Sequence, residues 1–166
     1  IRMNNLAAAI YMTSQGIPFF QAGEEMLRSK PLPEGGFDHN SYKSPDSVNS
    51  IKWDNKADVS AVTDYYKGLI AFRKAHGALR MTTTEEVQNN LSFVEDAPEG
   101  VIAYSITGSP NGEIAEKLFV IFNPNKTAIT MNLPEGTWDI FVNGEKAGTE
   151  SLGQATGSVE VAGISA

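Results

Sequence analysis

The sequence predicts an α/β segment followed by an all-β one: the C-terminal end of a TIM (β/α)8 barrel, with an antiparallel β-sandwich attached to it. Three observations carry that reading. Ile17, Phe19 and Phe20 make a short apolar run between Gly16 and Gly23, as in a strand enclosed on both faces. That run ends on Gly23, Glu24 and Glu25 and gives way to a long polar loop, the place where a barrel enzyme gathers its chemistry. After Gly77 the apolar period changes from about 3.6 to about 2 residues, from helix to strand.

Met3, Leu6, Ala7 and Ile10 recur at helical spacing through residues 2–14, with Gly16 placed to stop the helix in a left-handed cap. One strand is expected over 17–22. From Leu27 to about Lys56 no period holds, and Pro31, Pro33, Gly35, Gly36, Pro45 and Asp46 are spaced like turn residues. Structureless loops of about thirty residues are uncommon and are usually functional or disordered; Phe37, Tyr42 and Trp53 favour order. A second helix is expected from Asp58, its N-cap, to Gly77, with Val62, Tyr66, Leu69, Ile70 and Phe72 as its apolar face. Arg73, Lys74 and His76 in its last turn suit the helix dipole. Short strands are then expected over 91–94, 101–107, 118–122, 128–133, 137–142 and 158–161, with Asn143-Gly144 as a hairpin turn. The domain boundary falls near 77–81, giving a barrel portion over 1–79 and a sandwich over 80–166.

The chain has 166 residues, too few for a complete barrel of about 250. It starts with Ile1 and already reads as helix there, so an internal piece of a longer protein is expected. With no Cys there are no disulfides and no thiolate metal sites, and the chain carries no marker that separates an extracellular from a cytoplasmic location. No apolar run reaches the roughly 20 residues of a membrane span. Residues 1–79 hold 9 basic and 8 acidic side chains, whereas 80–166 hold 4 and 12. An acidic second half argues against nucleic acid and against anionic membrane surfaces.

Two motif pairs sharpen the picture. Gly16-Ile-Pro-Phe-Phe-Gln-Ala-Gly-Glu-Glu-Met26 is followed by Leu27-Arg-Ser-Lys30, and Phe37-Asp-His-Asn-Ser-Tyr-Lys-Ser-Pro-Asp-Ser-Val-Asn49 by Ile51-Lys-Trp-Asp54. Together they resemble the eighth barrel strand and following loop of type I pullulanases, bacterial-type debranching enzymes of glycoside hydrolase family 13 in the α-amylase superfamily. The resemblance continues through Leu69-Ile-Ala-Phe-Arg-Lys-Ala-His76 and, more weakly, Phe122-Asn-Pro-Asn125. It implies a parent enzyme that hydrolyses α-1,6 linkages in pullulan and branched α-glucans with retention of configuration. The family's Asp nucleophile, Glu acid/base and further Asp belong to the fourth, fifth and seventh strands. The resemblance therefore assigns no catalytic residue here; the partners it implies are an α-glucan and the upstream barrel.

The same resemblance places His39, Asn40, Tyr42, Asp46 and Asn49 in a loop that helps line the glucan cleft. The position of His39 is Arg in some relatives that contact substrate, so its contact is expected to be weaker than a guanidinium's. Asn40, Tyr42, Asp46 and Asn49 match positions that either hold the loop together or face the cleft. Tyr42 and Trp53 are read as anchors of the loop on its scaffold. Glu24 and Glu25 are adjacent on the expected strand and so point to opposite faces. They cannot act as the paired carboxylates of a retaining glycosidase, which stand about 5 to 5.5 Å apart across one bond, and a structural role at the cleft edge is expected. Asp54, Asn55 and Asp58 are hard oxygen donors of the kind calcium takes, but the spacing is not that of an EF-hand and Asp58 is assigned as a cap. No metal and no cofactor is predicted. Two other readings are a carbohydrate-binding module and a purely structural β-sandwich. The first needs exposed aromatic residues on one face, whereas Phe93, Tyr104, Phe119, Phe122, Trp138 and Phe141 fall mostly in apolar alternation.

Overall fold

The computed structural model describes residues 1–166 as five α-helices, short 3-10 turns and five strands. Helix α1 (Arg2–Thr13) packs on α4 (Ser60–Ala75), with the short helices α2 (Asp46–Asn49) and α3 (Asn55–Asp58) in the connection between them. In α1 the buried face is Leu6, Ala8, Ala9 and Met12. Of the expected set only Leu6 is turned inward, while Met3 and Ile10 are exposed. The fully buried Ala8 and Ala9 present no bulk, which lets α4 come close. In α4 the expected face is seen, with Val62, Tyr66, Leu69 and Phe72 buried, joined by Tyr65; Ile70 stays largely outside. Asp58 is not the cap of this helix: it closes α3, and Val59 stands at the N-cap of α4 without a side-chain hydrogen bond.

The strand expected over 17–22 is absent. Backbone N–H and C=O groups form a strand only against a neighbouring one, and no strand lies alongside this segment. Ile17 and Phe19 are more than nine-tenths exposed. Phe20 alone turns back: it stacks on Tyr11 at 6.0 Å and meets Tyr66 at 5.9 Å.

The second half forms two antiparallel sheets. Strands β1 (Leu91–Phe93), β2 (Ile102–Thr107) and β3 (Lys117–Phe122) pair in that order, and β4 (Ile129–Ile140) pairs with β5 (Gly153–Val161) as a separate ribbon. The strands expected over 128–133 and 137–142 are one strand. Pro134 and Gly136, which read as a turn, lie in an irregularity of pairing between Asn132 and Thr137, a place where a ribbon tolerates both residues. Asn143-Gly144 does begin a turn, of four residues instead of two. Asn143 Oδ1 accepts from the N–H groups of Glu145 and Lys146, and Val142 bridges to Ala147. Helix α5 (Thr84–Asn90) precedes β1, held by a capping box in which Thr83 and Glu86 exchange hydrogen bonds.

The core does not divide at the expected boundary. Leu6 of α1 and Phe72 of α4 pack with Ala78, Leu79 and Met81 and with Tyr104, Ile106, Leu118 and Phe122 of the sheet. A second cluster joins α1 and α4 through Met12, Val62, Tyr65, Tyr66 and Leu69, and Val142 and Ala147 press on it from beside β4. Gly68 of α4 marks that contact: a Cβ there would lie 1.9 Å from the Ala147 carbonyl oxygen. Asn123, fully buried, ties the end of β3 to the last residues, donating to the carbonyls of Thr127, Val161 and Ala162. Between β3 and the β4–β5 ribbon lies an open cavity of about 1050 Å³, lined by Phe119, Ile121, Leu133 and Trp138 among others. No helix is long and apolar enough to cross a membrane.

Candidate functional site

The polar loop between α1 and α4 is built on hydrogen bonds to its own backbone. Asp38 organises its centre: its carboxylate accepts from Asn40 N–H at 2.9 Å and from the Ser44 hydroxyl. The Ser44 bond first, and then the Asn40 amide, hold the Asp38 carboxyl below its usual range. Asn49 Nδ2 donates to the carbonyls of Ser41 at 2.6 Å and Ser44 at 2.9 Å, closing the loop on itself. Lys30 Nζ donates to Ser41 Oγ at 2.6 Å. Arg28 is the root of the arrangement, because its guanidinium donates to the Asn49 carbonyl and, at 2.9 Å, to that of Ala22.

The five loop residues singled out in the sequence therefore separate into two roles. Asn49 is a brace. His39, Asn40, Tyr42 and Asp46 lie exposed on the outside of the braced loop, and none of their side chains hydrogen-bonds within the chain. Tyr42 is 76% exposed with Lys43 Nζ 5.4 Å from its ring centre, and Trp53 is 65% exposed. Neither anchors the loop as expected, since no apolar scaffold within the chain lies under them.

Glu24 and Glu25 occupy a 3-10 turn, Glu24–Met26, and not a strand end. Glu24 accepts from Tyr11 Oη at 3.2 Å through Oε2 and from Gln21 N–H at 2.8 Å through Oε1. Glu25 Oε2 accepts from Gly23 N–H at 3.0 Å, and the Glu25 carbonyl accepts from Thr63 Oγ1 of α4. Burial, followed by the neighbouring Tyr66 and Glu24, pushes the Tyr11 hydroxyl far above its ordinary range, so it stays a donor to Glu24. Both carboxylates are thus committed to shaping the turn. No three His, Asp or Glu side chains converge as a metal-binding group would need.

Chemically this surface can hydrogen-bond and stack on a polar ring, through exposed amide, imidazole, carboxylate and aromatic groups. It presents no carboxylate pair aimed across a common gap. In the second half, Tyr104 and Phe122 are core; Phe119 and Trp138 face each other at 5.7 Å beside the cavity, and Phe93 is exposed. Asp38 and Arg28 are the site-shaping residues that the sequence did not single out. The spacing Asp38-His-Asn40 is the one legible sign, since an Asp side chain commonly accepts from the amide two residues on.

Comparison with known proteins adds the following. A family profile described as "Pullulanase, all-beta domain" matches residues 87–146. The pullulanase of Bacillus subtilis (strain 168) is 33% identical over 129 residues, covering 78% of this chain and 17% of the relative. An isoamylase of a Flavobacterium species is 28% identical over 145 residues, covering 76% and 18%. Among solved structures, the pullulanase from Bacillus acidopullulyticus superposes with a TM-score of 0.91 at 42% identity, over 99% of this chain and 20% of that one. The pullulanase from Paenibacillus barengoltzii in complex with maltohexaose and alpha-cyclodextrin does so with a TM-score of 0.82 at 36% identity, over 98% and 24%. The chain thus spans less than a fifth of the length of the two curated relatives.

Proposed function

This chain belongs to the pullulanase family, and we propose that it serves as the C-terminal portion of a retaining hydrolase of α-1,6 linkages in branched α-glucans, whose catalytic carboxylates lie elsewhere in the polypeptide. The observation that carries this reading is the uncovered apolar surface of the first half. Met3 and Ile10 on the outer face of α1 continue into Ile17 and Phe19, all exposed here. An apolar strip of that kind is what a barrel helix and strand present to their neighbours in the ring. In this reading residues 1–79 are the last portion of the barrel, 17–22 pair as a strand when an adjoining strand is supplied, and 80–166 form a sandwich-type domain that flanks it.

The substrate is an α-glucan, in keeping with the maltohexaose bound by the Paenibacillus relative. His39, Asn40, Tyr42 and Asp46 form one wall of its cleft, held outward by Asp38 and Asn49, while Glu24 and Glu25 set the cleft edge structurally. The test is the complete enzyme carrying this chain, assayed on pullulan. His39→Ala should raise KM about threefold to tenfold, the loss of roughly one hydrogen bond of about 1 kcal/mol, with kcat little changed. An unchanged KM removes His39 from the cleft, and an enzyme without activity on pullulan removes the assignment.

A further inference from the structure

Two of the last four carbonyls of α1, those of Met12 and Thr13, and the Ser14 and Gly16 carbonyls just beyond the helix are taken by donors from other parts of the fold. A helix leaves its last four carbonyls without donors of its own. Arg73 Nη1 donates to Met12 O and Ser14 O, both at 2.8 Å, and Nη2 to Gly16 O at 2.6 Å. Tyr104 Oη, from β2, donates to Thr13 O at 2.9 Å. The Gln15 side chain donates to Ala78 O at 2.8 Å and accepts from Met81 N–H at 3.0 Å. Arg73 and Tyr104 are 6% and 4% exposed, so water does not compete for these bonds.

Ending a helix asks for less than this. The C-cap is Ser14, in extended backbone with its N–H donating to Ile10 O, so the left-handed cap expected at Gly16 is not formed; Gly16, with a φ of 86°, lies two residues beyond the cap. The added donors fix the direction in which the chain leaves α1 towards the turn Glu24–Met26, and from there Arg28 reaches the polar loop at Ala22 and Asn49. From β2 to the loop the connection runs through the buried Tyr104–Thr13 bond, the mostly exposed segment 16–22, and the two Arg28 bonds, of which that to Asn49 O is partly buried and that to Ala22 O is exposed.

We propose that Tyr104 is a positioning residue for glucan binding: through Thr13 it holds the exit of α1, and with it the braced loop that carries His39 and Tyr42, in place for substrate. The inference rests on the cleft role given to that loop above and adds to it a part for the β half. Tyr104→Phe deletes only the hydroxyl. Tyr65→Phe is the matched control, because Tyr65 is 2% exposed and its hydroxyl has no partner.

Two measurements decide it. Amide hydrogen exchange at the hydrogen-bonded amides of Ser14, Glu24, Met26, Leu27 and Arg28 should quicken at least about fivefold in Tyr104→Phe and not in Tyr65→Phe. In the complete enzyme, below any melting, Tyr104→Phe should raise KM for pullulan about fivefold, with kcat held within about twofold, again unlike the control. Unchanged exchange overturns the proposal whatever the kinetics. Faster exchange with an unchanged KM also overturns it, since Tyr104 then only stabilises. If the unsubstituted enzyme is inactive on pullulan, the debranching assignment fails separately. The Kd for maltotetraose then replaces KM, with the same fivefold weakening expected and its absence decisive.

Discussion

Glu113 is the most enclosed carboxylate with an ionic partner in the fold, its side chain 1% exposed. Its Oε1 lies 3.0 Å from His76 Nδ1 and accepts from Ala115 N–H at 2.9 Å; its Oε2 accepts from Ala78 N–H at 3.2 Å. Burial by itself would push this carboxyl up, but the Ala115 amide, the His76 ring and the Ala78 amide outweigh burial and hold it below its ordinary value. A depressed carboxyl stabilises the fold above its unfolded value of 4.5, and the contribution is lost as pH falls through the lower folded value. Glu113→Gln should therefore cost about 1–3 kcal/mol at pH 7. In urea unfolding at a series of pH values, the gap to the unsubstituted chain should close below pH 4.5. A gap that stays constant into acid would show that the carboxylate charge contributes nothing. In the sequence His76 read as a helix-end residue suited to the dipole, and Glu113 was one of twelve acidic side chains in the second half. The Ala115 amide is a local donor, but the other two groups that hold this acid inward, the His76 ring and the Ala78 amide, come from far away along the chain.

At the scale of elements, the tightest contact is between α4 and the turn after β4. Gly68→Ala would put a methyl group 1.9 Å from the Ala147 carbonyl oxygen, against backbone on both sides. Helix propensity alone favours Ala over Gly by about 1 kcal/mol, so a gain in stability would be expected if the site were open. The contact reverses the sign: thermal unfolding should show a net loss of about 1–3 kcal/mol, and a stabilised variant would refute the docking of the β4 turn on α4. Elements whose signals are local were legible. Helix α4 follows its apolar period; α1 forms over the expected residues although only Leu6 of its expected face turns inward; β1 to β3 fall where strands were expected; and the capping box Thr83-x-x-Glu86 stands in the sequence although α5 was not predicted from it. Elements that depend on a partner were not. Residues 17–22 have the composition of a buried strand and no strand to pair with, and residues 128–142 contain the Pro and Gly of a turn yet are drawn out by pairing with β5. The loop residues were legible as a group, but the split between the brace Asn49 and the outward His39, Asn40, Tyr42 and Asp46 is set by where Arg28, Ser41 and Ser44 place their backbone and side chains.

For the molecule as a whole, the proposed assignment makes the uncovered face of α1 and the exposed Ile17 and Phe19 the contact with an upstream barrel portion. Phe19→Asp sets a charge in that interface, and burying an unpaired carboxylate is costly. When the upstream barrel portion is co-expressed with this chain, the substitution should weaken their association at least about tenfold in size-exclusion or affinity measurements. Association at full strength would place Phe19 outside the contact.

The shared core has a consequence for synthesis on the ribosome. Leu6 is packed against Phe122, so the site it occupies does not exist until more than a hundred further residues have been made. At about 5–20 residues per second, that is on the order of ten seconds. During that interval α1 carries an apolar face towards a sheet not yet translated, and that face is uncovered. The newborn chain therefore passes through a vulnerable period in which α1 is a candidate for chaperone capture, and slowing translation after residue 81 would lengthen it.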